Sequence, residues 1–86
     1  MKQIKIAIGL LEKIAEREMN KGYSFSVDFD TESKSVSFGV FQRENIESHI
    51  IDVVTVYNTD SNKEIEEAVN KINGYINGFS KVKDNE

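Results

Sequence analysis

Asp28, Asp30 and Glu32 follow one another at two-residue spacing, and a row of that kind could gather carboxylate oxygens around a hard cation. A helix-flanked calcium loop does not fit them. Ser33 stands where glycine must make the sharp turn, and Gly39 where a bidentate glutamate belongs. Asp60, Asn62 and Glu64 open the same pattern and lose it at Lys71, so capping of a helix accounts for them better. His49 is the only histidine and has no serine nucleophile at a recognisable spacing, which gives no support to a triad. It is expected at a strand end on the surface. The absence of cysteine excludes disulfides, thiolate zinc sites and a thiol nucleophile, and the five glycines are too scattered to cradle a phosphate. The chain is therefore expected to be non-catalytic, with no metal and no cofactor. What remains for chemistry is charge: Asp28, Asp30 and Glu32 in one patch, and Glu64, Glu66 and Glu67 in a second.

The charge balance points the same way. Fifteen Asp and Glu stand against eleven Lys and Arg, for a net charge of −4, which disfavours a general phosphate-binding surface and favours a basic partner. Eighty-six residues build one core. Residues 1–80 are read as a single domain and 81–86 as a charged, frayed tail. No apolar run approaches the ~20 residues needed to span a bilayer, and Lys5 interrupts the N-terminal one, so no signal peptide is read and a cytoplasmic setting without membrane contact is expected. Ten Ile and eight Val against two Leu, with nine Lys against two Arg, follow AT-rich codon usage of the kind found in low-GC bacteria and their mobile elements.

These charges have to be positioned by something. Ile4, Ala7, Ile8, Leu11, Ile14, Ala15 and Met19 recur at helical spacing and predict a helix over residues 2–20, with Gly22 as its left-handed stop. Strict alternation of Ile4, Ile6, Ile8 and Leu10 is the rival strand reading of the same segment. Glu18 falls along the apolar stripe and should reach sideways, toward Lys21. Tyr23, Phe25, Val27 and Phe29 alternate with Ser24, Ser26, Asp28 and Asp30, a half-buried strand. Past a polar turn at residues 31–34, Val36, Phe38 and Val40 alternate with Ser35, Ser37 and Gly39. Residues 42–48 read as a second turn, and a third strand runs from His49 to Tyr57, apolar on both faces. Ser61, three residues before Glu64, marks a capping box, and Ile65, Ala68, Val69, Ile72, Tyr75, Ile76 and Phe79 form the stripe of the helix it opens.

The expected fold class is α+β in the order α-β-β-β-α, a three-stranded antiparallel sheet with two helices packed on one face. The other face should stay open, showing Ser24, Ser26, Asp28 and Asp30, then Ser35, Ser37, Gly39 and Phe41, then part of Ile50, Val54 and Val56.

This order, with Leu10-Leu11-Glu12-Lys13-Ile14-Ala15-Glu16 in the first helix and Ser61-Asn62-Lys63-Glu64 opening the second, resembles the double-stranded-RNA-binding domain over residues 8–78. In that family the second helix opens with lysines on phosphates. Here Lys63 stands among Asp60, Glu64, Glu66 and Glu67, which repel a duplex backbone, so the resemblance implies the topology with direct nucleic-acid binding disfavoured. In size, acidity and codon usage the chain is also similar to small phage-encoded inhibitors of bacterial defence, including anti-CRISPR proteins. That likeness implies an inhibitor that binds the basic surface of a host nucleic-acid-processing factor. An RNA-binding module and a homodimer joined through the open sheet face are the alternatives.

Overall fold

The computed structural model describes residues 2–44 and 46–81, with side chains from Lys5 onward. Helix α1 spans Lys2–Glu16, strands β1, β2 and β3 span Tyr23–Asp30, Ser35–Glu44 and Glu47–Tyr57, and helix α2 spans Asn62–Phe79. The strands form an antiparallel meander, β1-β2-β3. One core unites Ala7 and Leu10 of α1 with Ile72 and Ile76 of α2 over Val36, Phe38 and Val54 of the sheet. Both helices therefore lie on one side, and the molecule is only 18 Å thick along its shortest axis. The expected α-β-β-β-α architecture with an open sheet face is what is found.

Helix α2 starts where its sequence says it should. Ser61 accepts from the Glu64 N–H, the Glu64 side chain accepts from the Ser61 N–H, and Ile65, Ile72 and Ile76 are buried.

Helix α1 departs from expectation in length and in face. It ends at Glu16, because Arg17 turns back to the Ile14 carbonyl and the chain then leaves the axis to pair Met19 with Ser80. The buried set is Ala7 and Leu10, flanked by Ile6 and Ile14, while Ile8 and Leu11 stay 49% and 44% exposed and Ala15 is exposed. The stripe is rotated because the segment has aliphatic residues at nearly every position, and Ile72 and Ile76 of α2 decide which of them are covered. Ile4 lies outside the described side chains. Glu18, off the helix, pairs at 2.9 Å with Lys81 rather than Lys21. Gly22 is left-handed, at φ 92°, but it bends the chain into β1 and does not cap α1. A Cβ there would sit 2.9 Å from the Arg43 carbonyl oxygen. Ser80 and Lys81 are tied to α1's exit; the rest of the expected tail, residues 82–86, lies outside the described residues.

The expected turn over residues 42–48 is instead a paired hairpin arm: Gln42, Arg43 and Glu44 pair with His49, Ser48 and Glu47. Polar side chains are no obstacle to pairing where both faces meet water. The register then slips by one residue between Val40 and Phe41, so that Val40 faces Asp52 and Phe41 faces Ile50, leaving Ile51 as the extra residue of a bulge. This slip corrects the open face. Val54 and Val56 lie under the helices, 8% and 2% exposed, and the open face of β3 is Ile50, Val53, Thr55 and Tyr57.

Candidate interaction surface

The open face is a grid of four rows set by pairing: Ser24, Phe41 and Ile50; Ser26, Gly39 and Val53; Asp28, Ser37 and Thr55; Asp30, Ser35 and Tyr57. Its two halves differ in chemistry. The half nearer the β2–β3 hairpin is apolar on β2 and β3, with Ile50 66% and Val53 51% exposed and the Phe41 ring lying over Gly39, within 2.8 Å of where a Cβ would stand. The other half is hydroxyl and carboxylate. Ser37 and Thr55 share a hydrogen bond of 2.9 Å, Ser33 and Ser35 one of 2.7 Å, and a shallow concavity of about 570 Å³ opens between Asp28, Asp30, Ser37, Thr55 and Tyr57.

Of the six expected partner-binding residues, Asp28, Asp30 and Glu32 lie on β1 and in the turn after it, while Glu64, Glu66 and Glu67 lie in the first turns of α2, in the other layer. All six are exposed. The topology nevertheless brings both patches to one end of the molecule. Ser35 pairs with Tyr57, the Asn58 N–H donates to the Lys34 carbonyl at 3.0 Å, and the Tyr57 N–H donates to Asp60 at 2.8 Å, so the loop that opens α2 runs beside the β1–β2 turn.

Two of the six already hold the local fold. Asp30 Oδ1 accepts from the Ser33 and Glu32 N–H groups at 3.2 and 2.9 Å, and these bonds, Ser33's first, hold its pKa below the ordinary aspartate value. The Ser61 N–H, followed by its hydroxyl, likewise holds Glu64 below the ordinary glutamate value. As a carboxylate in the first turn, Glu64 also complements the helix dipole. Asp28, Glu32, Glu66 and Glu67 carry the charge that faces solvent. Among the described residues, no group of three His, Asp or Glu is placed to hold a metal ion, because the strand alternation spreads Asp28 and Asp30 along the face and Asp30 is bent into its turn. His49 sits within β3 on the hairpin arm, exposed, its Nε2 3.7 Å from Glu47.

A polar cluster on the helix side has no counterpart among the residues expected from the sequence. Asp52 faces α2 from β3 directly after the bulge, accepting the Tyr75 hydroxyl at 2.6 Å and pairing with Lys71 at 3.0 Å. The Tyr75 bond first, and Lys71 second, lower the Asp52 pKa, while Asp52 raises the pKa of both partners. The signal was a carboxylate within an aliphatic strand, facing a helix that carries Lys71 and Tyr75 four residues apart. Tyr75 continues into an aromatic stack with Phe79, whose ring lies 4.4 Å from Tyr23. The cluster fixes α2 on the sheet.

Among the described residues no helix is long and apolar enough to cross a membrane. Comparison with family models, with curated proteins and with solved structures gives no match in any of the three.

Proposed function

We propose that this chain is a non-catalytic binding domain whose acidic end docks on a basic protein surface, of the kind that otherwise engages nucleic acid, and keeps phosphate away from it. The observation that supports this reading is the convergence of Asp28, Asp30 and Glu32 with Glu64, Glu66 and Glu67 at one end, from two layers and more than thirty residues apart in sequence. Carboxylates gathered this way steer a cationic partner and fix its orientation. A phage or mobile-element accessory protein that occludes a host defence factor is the setting in which such a surface would act, within the cytoplasm.

The test is capture of partners from a low-GC bacterial lysate with and without nuclease, followed by binding of two variants at two salt concentrations. Asp28→Asn, Asp30→Asn and Glu32→Gln form one variant; Glu64→Gln, Glu66→Gln and Glu67→Gln form the other. Asn and Gln keep the turn and capping acceptors, so folding is preserved. A nuclease-resistant protein partner whose association slows and loses salt dependence in both variants supports the reading. Nuclease-sensitive recovery, with duplex RNA bound more tightly by the neutralised variants and less tightly by Lys63→Gln, overturns it in favour of the RNA-binding module.

A further inference from the structure

The open face carries a second pattern, which shares Asp28 and Asp30 with the acidic end. Strand alternation places Arg43 on the same face of β2 as Ser35, Ser37, Gly39 and Phe41, four residues beyond the central Gly39, just as Ser35, beside Asp30, lies four residues before it. The face is thus bipolar: carboxylates at one end, a guanidinium at the other, and Phe41, Ile50 and Val53 between centre and cationic end. We infer that its occupant is a second copy of this chain, packed face to face about a two-fold axis that crosses the sheet at the Gly39 row.

That operator lays β2 antiparallel over its mate. Arg43 of each copy then stands over Ser35 of the other, one strand away from Asp28 and Asp30, so opposite charges face each other at both ends of the interface. Val53 meets Val53 beside the axis, and Ile50 meets the row of Ser37 and Thr55. The Phe41 ring occupies the space a side chain at Gly39 would take, so the centre stays low enough for two sheets to approach at ~10 Å. The two acid-rich ends point away from each other, which limits repulsion between copies of net charge −4. A purely basic partner on this face would meet Arg43 with repulsion and leave Val53 and Ile50 uncovered. Three strands about 4.8 Å apart and nine residues at about 3.3 Å give a footprint of roughly 400 Å² in projection. Standard interfaces bury about 800 Å² of accessible surface per partner, so the dimer is weak and reversible.

Sedimentation velocity over a wide concentration range reads the equilibrium directly. The wild-type chain is expected to dimerise in a concentration-dependent and salt-weakened manner. Val53→Lys places two ammonium groups at the axis and Arg43→Glu sets like charges at both ends, so each should weaken dimerisation by about tenfold or more, with circular dichroism unchanged. Asp28→Lys alone should weaken it as well. The decisive mixture is Arg43→Glu with Asp28→Lys: a two-fold pair built from one of each has opposite charges at both contacts, so heterodimers should form where neither variant pairs with itself. A wild-type chain that stays monomeric, an Arg43→Glu or folded Val53→Lys chain that dimerises as well as wild type, or a mixture that stays monomeric overturns the inference.

Discussion

Phe38 is fully buried at the centre of β2, under both helices, whereas Phe29, on the same side of the sheet at the end of β1, is 50% exposed. The two phenylalanines therefore form a matched pair in which only the surroundings differ. Phe38→Ala removes a fully buried ring from the cluster it shares with Leu10, Val54, Ile72 and Ile76 and leaves a closed cavity, for an expected loss of about 3–5 kcal/mol. Phe29→Ala forfeits only the covered half of the transfer free energy and opens no cavity, so about 1 kcal/mol is expected. A domain of this size has a total stability of roughly 4–13 kcal/mol at about 0.05–0.15 kcal/mol per residue, so the first variant should be close to unfolding and the second should not. Urea denaturation followed by far-ultraviolet circular dichroism measures both, with equal slopes required before the midpoints are compared. A loss below about 1 kcal/mol for Phe38→Ala, or equal losses for the two, would refute a core centred beneath the helices.

Two further outcomes follow from single residues. The folded-state pKa of Asp52 is lowered, by Tyr75 first and Lys71 second, so its contribution to stability is present above the ordinary aspartate pKa and is lost as pH falls through the lowered folded value. Thermal melts from about pH 6 down to about pH 2 should show Asp52→Asn with a lower melting temperature at the upper end and a flatter acid dependence, and a parallel offset at every pH would contradict it. Gly22→Ala combines φ 92° with a Cβ 2.9 Å from the Arg43 carbonyl oxygen and should destabilise by more than about 1 kcal/mol, read by the same urea midpoint.

Where the sequence was legible, one local signal agreed with one tertiary need. Helix α2 carries its own start signal in Ser61 and Glu64, and its stripe has no competing register. Helix α1 offered aliphatic side chains on two overlapping stripes, and the choice between Leu10 and Leu11 depends on Ile72 and Ile76, which lie some sixty residues away in the chain. The β3 parity was hidden for a related reason. The bulge at Ile51 falls in a strand with aliphatic side chains on both faces, so alternation does not announce it, and the one polar residue there, Asp52, lies on the helix side with Val54 and Val56. The acidic residues were each identifiable, but their convergence is a property of the meander: only the pairing of Ser35 with Tyr57 sets the start of α2 beside the first hairpin turn. Arg43 was hidden in a segment read as a turn, although pairing makes it part of the sheet.

The small bridge between Met19 and Ser80 has a consequence for the order in which the chain acquires structure. Asn20 donates to the Phe79 carbonyl and Lys81 to that of Glu18, so the exits of both helices are clasped by two backbone bonds, with a Lys81–Glu18 ion pair across 63 positions of sequence. Closing a loop that long is entropically unfavourable until something else holds its ends together. The meander, whose contacts are between neighbours in sequence, can form first; the clasp can close only after both helices have docked on it. The Asn20 and Lys81 amides should therefore be late reporters in pulse-labelled refolding and should open together in native-state exchange, so that loosening either helix exit releases the other.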